Sequence, residues 1–173
     1  MCIRDRVDRL GEFVELLDRL LTHPVTSWQG SYYEAVEARM RPGCVQAPRL
    51  PFVVAAGGPR SLRIAARFGQ GWATTGNESG ADVPWWDGVA ALSRRMDDVL
   101  AETGRDPGSL RRYLSVDGGG YALSSAGAFV VAVGRARELG FTDVVTHWPR
   151  AEGVYAGDES VLERVAADLD SLR

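Results

Sequence analysis

Phe52-Val53-Val54-Ala55-Ala56-Gly57-Gly58-Pro59 is the stretch on which the fold turns. Five uncharged residues with no polar alternation, stopped by two glycines, suit a short strand buried on both faces, the kind found in parallel sheets. Pro59 then fits the first turn of a helix, where its missing N–H costs nothing. Leu62, Ala65, Ala66 and Phe68 give that helix a buried face, and Gly69 suits its C-terminal cap.

The same unit recurs downstream. Residues 72–75 are a second strand candidate ending at Gly76. Residues 77–83 form a polar loop, and residues 84–102 carry Val89, Leu92, Met96, Val99 and Leu100 at helical spacing. Asp106-Pro107 opens a short helical turn. Residues 113–116 give the third strand. A Gly118-Gly119-Gly120 interruption follows, then a helix capped by Ser124 or Ser125 and ended near Gly140. Residues 143–148 give the fourth strand, broken by Pro149. Ser160-Val161-Leu162-Glu163 has the form of a capping box for a last helix with Leu162, Val165, Ala166, Leu169 and Leu172 on its apolar face. Four strands, each followed by a helix, predict a parallel α/β sheet with right-handed crossovers.

Upstream, residues 7–21 read as an amphipathic helix through Leu10, Phe13, Val14, Leu17, Leu20 and Leu21, ended at His23-Pro24. Trp28-Gln29-Gly30-Ser31-Tyr32-Tyr33 reads as a turn between two short extended pieces, and residues 41–51 as loop. A full (β/α)8 barrel takes about 250 residues, so four units are half of one. The pattern alone fits a self-contained doubly wound sheet as well.

Composition narrows the class of function. The 173 residues are 45% hydrophobic and 25% charged, with a net charge of -3 and no basic stripe, so nucleic acid is not an expected partner. No apolar run reaches the roughly 18 residues of a membrane span, and no signal core opens the chain, so no membrane association and a cytoplasmic location are expected. Cys2 and Cys44 form no C-x-x-C pair, and His23 and His147 are the only histidines, so no metal site is expected.

Three stretches resemble the luciferase-like family of bacterial luciferase, FMN monooxygenases and F420-dependent dehydrogenases and reductases. The first is Trp28-Gln29-Gly30-Ser31-Tyr32-Tyr33 with Pro42, Gln46 and Pro48-Arg49-Leu50-Pro51. The second is residues 53–59 with Ala65-Ala66. The third is Gly69-Gln70-Gly71-Trp72 with Thr74-Thr75-Gly76; the family usually has Asp in place of Gln70. The resemblance covers residues 7–173 and implies the C-terminal half of a (β/α)8 TIM barrel. On that reading about 130–150 residues with the first four strands belong before it. Residues 1–6 resemble translated adapter sequence and are expected to be a non-native leader.

The resemblance also implies an oxidoreductase site. Ligands bind at the C-terminal ends of barrel strands. There Ala56, Gly57 and Gly58 and, one strand on, Thr74, Thr75 and Gly76 would hold the phosphate of a cofactor, F420 or alternatively FMN. Glycine lets the backbone approach an anion, and the following helix offers free N–H groups. Without the resemblance, the glycines could simply make strand-to-helix turns. His147 and Trp148, at the end of the last strand, and Asn77, where some sugar-phosphate-oxidising members have lysine, are candidates for the pocket of a small organic substrate. A loop-packed aromatic pair is the plainer role for the first two. Trp85-Trp86 reads as a helix-start anchor in preference to a lid over substrate, and Arg60 and Arg63 as a solvated face or as charge near the phosphate. No catalytic acid or base is nominated; in many F420 members those groups come from the first half of the barrel. The alternative is a truncated, non-catalytic half barrel that binds a phosphate-bearing ligand or self-associates, a homodimer covering its strand edges.

Overall fold

The computed structural model describes residues 3–76 and 83–172. Helix α1 (Ile3–Thr22) leads into a hairpin of β1 (Thr26–Gln29) and β2 (Glu34–Ala38). The main body follows as β3 (Val53–Ala55), α2 (Pro59–Phe68), β4 (Gly71–Thr74), α3 (Trp85–Glu102), β5 (Arg111–Ser115), α4 (Ala126–Glu138), β6 (Asp143–Val145) and α5 (Glu159–Ala167). The four strands β3 to β6 form one parallel sheet in the order β3-β4-β5-β6.

That order separates the two architectures left open by the sequence. Each strand lies beside its predecessor without reversal, as successive strands do in a barrel. A doubly wound sheet would need a switch point and helices on both faces. Here one face carries the core. Val54, Trp72 and Leu114 point into a cluster with Leu62, Ala65 and Ala66 of α2, Val89, Leu92, Met96 and Leu100 of α3, and Phe129, Ala132 and Ala136 of α4. On the opposite face Val53 is 53% exposed and Val145 50% exposed, and Ala55 is exposed too.

Trp72 is the largest side chain with no exposed surface; its Nε1 donates to the Ala56 carbonyl at 2.8 Å and its ring tilts against Phe141. Arg49 is buried as well. It donates to Asp18 Oδ1 (2.6 Å), to the carbonyls of Leu50 and Phe68 (both 2.8 Å) and to Gln70 Oε1 (3.0 Å), and it lies over the Phe52 ring. Gln70 Oε1 also accepts from the Phe52 N–H at 2.9 Å. A neutral amide thus supplies the acceptor that ties Arg49 to the entry of β3.

The hairpin is fastened to α1 by Glu12, which accepts from the backbone N–H groups of Ser31, Tyr32 and Tyr33 at 2.8–3.2 Å. Burial pushes the Glu12 carboxyl up, but these N–H bonds outweigh it and hold it below its ordinary value. A Cβ on Gly30 would sit 1.9 Å from Glu12 Oε1, so the turn needs glycine for room.

Several local expectations change. Gly69 does cap α2, but at φ -80; its glycine is required because a Cβ would meet the carbonyls of Gly71 and Ala65 at 2.7 and 2.8 Å. The last helix is capped by Asp158, whose side chain accepts from the Ser160 N–H, and Ser160 lies within the helix. Its buried residues are Val161 and Val165, Leu162 packs partly buried against the core, and Leu169 lies beyond the helix, 45% exposed. Strand β6 stops at Val145, where the backbone turns to Asp117. Helix α1 begins at Ile3, four residues before the start expected at Val7.

Candidate active site

The C-terminal ends of β3 and β4 open into a cleft of about 800 Å3. That lies within the range of small-molecule sites. It is lined by Ala55 to Ser61, Ala73 to Thr75, Tyr113, Ser115 and Val145, with Arg6, Val7 and Leu10 of α1 on its rim. Five of the six residues expected at the phosphate, namely Ala56, Gly57, Gly58, Thr74 and Thr75, therefore border one space. Gly76 stands behind them. It is buried at φ +71, donates its N–H to Thr74 Oγ1 (3.1 Å), and has no space for a side chain, since a Cβ would lie 2.4 Å from Val89 Cγ2.

Ser61, which sequence reasoning passed over, organises the first loop. Its hydroxyl accepts from the N–H groups of Gly57 (3.3 Å) and Gly58 (3.1 Å) and donates to the Gly58 carbonyl (3.0 Å). The signal was its place three residues after the helix cap, where a short polar side chain reaches back to the entry loop. Arg60 lines the cleft and pairs with Asp8 at 3.0 Å, while Arg63 pairs with Glu102 on an exposed face away from it.

Trp85 packs under the second loop, as a helix-start anchor should. Its Nε1 donates to the Thr75 carbonyl (3.0 Å), and its ring leaves no room for a Cβ at Gly118 or Gly119. Trp86 meets it edge-on. Asn77 lies outside the described residues.

His147 and Trp148 sit past the end of β6 and do not border the cleft. Trp148 is 63% exposed and donates to Glu159. His147 is held by a residue the sequence reading did not single out. The Asp117 side chain, 3% exposed, lies 2.7 Å from both Nδ1 and the backbone N of His147; it also accepts from Thr146 Oγ1 (3.0 Å) and the Ala122 N–H (3.0 Å). Burial pushes the Asp117 carboxyl up, and the hydrogen bonds from Ala122, His147 and Thr146 more than offset it, leaving it below its ordinary value. Tyr155 stacks on the imidazole with ring centres 3.8 Å apart. Among the described residues, no group of three or more His, Cys, Asp or Glu could hold a metal ion, and no helix is long and apolar enough to cross a membrane.

Residues 2–117 match the sequence pattern described as luciferase-like monooxygenase. The chain belongs to the luciferase-like monooxygenase family. Among its relatives are an F420-dependent glucose-6-phosphate dehydrogenase of Intrasporangium calvum, 37% identical over 120 residues (61% of this chain, 35% of the relative), and an F420-dependent hydroxymycolic acid dehydrogenase of Mycobacterium tuberculosis, 36% identical over 69 residues (40% of this chain, 19% of the relative). The matched stretch thus spans about a third or less of the curated relatives' length. In three dimensions this luciferase-like chain is similar to the coenzyme F420-dependent tetrahydromethanopterin reductase of Methanopyrus kandleri, with a TM-score of 0.70 at 13% identity over 96% of this chain and 64% of that one. It is also similar to an F420-dependent secondary alcohol dehydrogenase, with a TM-score of 0.65 at 14% identity over 83% of this chain and 56% of that one. Its four-stranded sheet is a partial TIM barrel.

Proposed function

We propose that this chain is the cofactor-phosphate half of an F420-dependent oxidoreductase that moves hydride between the deazaflavin and a small organic substrate. The observation that carries the reading is the single cleft joining Ala56-Gly57-Gly58 to Thr74-Thr75 at the C-terminal strand ends. Its size, the small residues at the two strand ends and the two arginines at its border suit a tethered phosphate with an aromatic ring system beyond it. The relatives named for F420 favour it over FMN, which is the second cofactor reading. The Thr74 and Thr75 hydroxyls and the Gly57 and Gly58 N–H groups would hold the phosphate, with Ser61 exchanging its present bonds to those amides for bonds to the ligand. Arg6 and Arg60 would add positive charge at the rim. When bound, the deazaflavin supplies the hydride chemistry; the protein's part is to hold and orient it.

The exposed sheet face supports the fragment reading. Val53, Ala55, Ala73, Tyr113, Ser115 and Val145 carry no charge, and the Arg111–Asp143 ion pair on the same face lies at the N-terminal ends of β5 and β6. Such a face is built to be covered. We infer that further strands of the barrel cover it. The competing occupant is a second copy in a homodimer, which also would shield the single-partner edges of β3 and β6.

Titration of the chain with F420 and with FMN tests the assignment. F420 should bind, and Gly57→Val or Gly58→Val should abolish binding with the far-ultraviolet spectrum unchanged. Unaltered affinity in both folded variants overturns the phosphate assignment; tighter binding of FMN than of F420 overturns the cofactor choice. Sedimentation at micromolar concentration distinguishes a homodimer from a monomer.

A further inference from the structure

The cleft has two unlike sides. Its phosphate side, at β3 and β4, carries Gly57, Gly58, Thr74 and Thr75, with Arg6 and Arg60 at the border. Its other side is Ala73, Tyr113, Ser115 and Val145, on the inner face of β4, β5 and β6. Neighbouring strands lie about 4.8 Å apart, so β6 stands about 14 Å from β3 across the sheet. A phosphate held at β3 and β4 leaves that far side to another group. Among the described residues, the charges that border the cleft are Arg6 and Arg60, and Arg60 is paired with Asp8 at 3.0 Å. On the inner face of β5 and β6, Arg111 and Asp143 pair with each other at the N-terminal ends of the strands. Tyr113, two residues further along that face, stands between the ion pair and the cleft. Its ring lies over Gly71, where a Cβ would be 2.8 Å from Tyr113 Cε2, and the Arg111 guanidinium is 5.5 Å from the ring centre. The ring therefore closes the cleft toward the N-terminal ends and screens it from the pair. One polar group interrupts this wall. Ser115 is placed to cap the 3-10 turn Val116–Gly119, yet its hydroxyl makes no capping bond, and among the described residues it has no hydrogen-bond partner. The β5–β6 register sets it beside Val145, which is 50% exposed, and the hydroxyl can both donate to and accept from one oxygen of a ligand.

We propose that this side of the cleft is the substrate subsite and that it takes an uncharged alcohol, or the carbonyl compound formed from it, with an apolar body. The oxygen lies on Ser115 and the body on Ala73, Tyr113 and Val145. The inference rests on the F420 oxidoreductase reading and names its substrate class. A sugar phosphate is a poor match, since a charge taken out of water needs a partner and this wall offers it one hydroxyl. An apolar body instead gains about fourfold in affinity for each methylene it buries. Tyr113 limits that gain, because its ring closes the cleft.

F420 binding to the chain is first measured by fluorescence; no binding overturns the cofactor reading and this inference with it. The F420-loaded chain is then titrated with 2-butanol, 2-pentanol and 2-hexanol and, separately, with glucose 6-phosphate, binding being read from ligand-observed NMR. The alcohols should tighten about fourfold per methylene, and glucose 6-phosphate should bind about tenfold or more weakly than 2-hexanol. Alcohols that do not bind, or glucose 6-phosphate that binds as tightly as 2-hexanol, overturn the inference and leave the cofactor reading standing. Val145→Lys puts a cation in the wall. It should weaken 2-hexanol about tenfold or more at unchanged F420 affinity and unchanged far-ultraviolet spectrum. Ser115→Ala should weaken every alcohol about two- to tenfold and keep the gain per methylene. Unchanged alcohol affinity in both folded variants overturns the placement of the subsite. In the wild type the gain should level off by 2-octanol, and Tyr113→Ala should carry it further; levelling at the same length in both removes Tyr113 as the limit.

Discussion

Trp72→Phe is the substitution that best joins the fold to the proposed cradle. Trp72 has no exposed surface, and its Nε1 holds the carbonyl of Ala56, the residue just before Gly57-Gly58. Phenylalanine keeps an aromatic ring against Phe141 but has no donor. Leaving that carbonyl without its donor costs about 1–3 kcal/mol. The smaller ring also leaves a void of roughly 40 Å3, worth about 1 kcal/mol at some 24 cal/mol per Å3. The sum is about 2–4 kcal/mol, which for a domain of this size lowers Tm by roughly 5–15 °C. Urea unfolding followed by circular dichroism should show a lower midpoint with an unchanged slope. Amide exchange should quicken at Ala56, whose N–H bonds to the Ala73 carbonyl at 3.1 Å, before it quickens in α3. A loss below about 1 kcal/mol, or no change in exchange at Ala56, would refute the view that Trp72 anchors the loop.

Gly76→Ala should destabilise by about 2 kcal/mol or more, because φ is +71 and the new Cβ would lie 2.4 Å from Val89 Cγ2; the Tm of the purified variant checks it. Arg49→Lys keeps the charge but cannot span four acceptors, so a loss of about 1–3 kcal/mol is expected in urea unfolding. Glu12 is held below its ordinary value in the folded chain, so its contribution is present above the unfolded pKa of about 4.3 and is lost as pH falls through the folded value. Trp28 fluorescence, read during acid titration, should report release of the hairpin, and Glu12→Gln should remove that step by releasing the hairpin already at neutral pH.

Much of the fold was legible because its units are local. The apolar run at residues 52–56, Pro59 after two glycines, and the heptad-like spacing of Val89, Leu92, Met96, Val99 and Leu100 each specify an element within a few residues. What local pattern could not supply was the order of the strands. Val53 and Val54 look alike in sequence, yet one is half exposed and the other is 6% exposed. An apolar run has no period from which to tell faces apart, and the parallel order depends on contacts between residues far apart in the chain. The capping box at Ser160 misled for a related reason. Asp158, two residues earlier, already satisfies a free N–H of the helix, so the cap falls before Ser160.

The candidate site divides along the same line. Gly57, Gly58, Thr74 and Thr75 were readable because a turn and its glycines announce themselves in adjacent residues. Asp117 was not, since nothing near it in sequence requires a carboxylate; its partners Thr146 and His147 lie 29 and 30 positions away. Only the parallel pairing of β5 with β6, with Ser115 opposite Val145, carries the residues two places beyond each strand to one point. The register that closes the sheet therefore also builds the dyad. Asp117 supplies hydrogen bonds that continue the β5–β6 junction past the strands, and the same bonds orient the imidazole. This double role predicts a separation of effects: Asp117→Asn should weaken the junction and loosen the imidazole together, whereas His147→Gln, which keeps its backbone N–H on Asp117, should cost far less stability in urea unfolding.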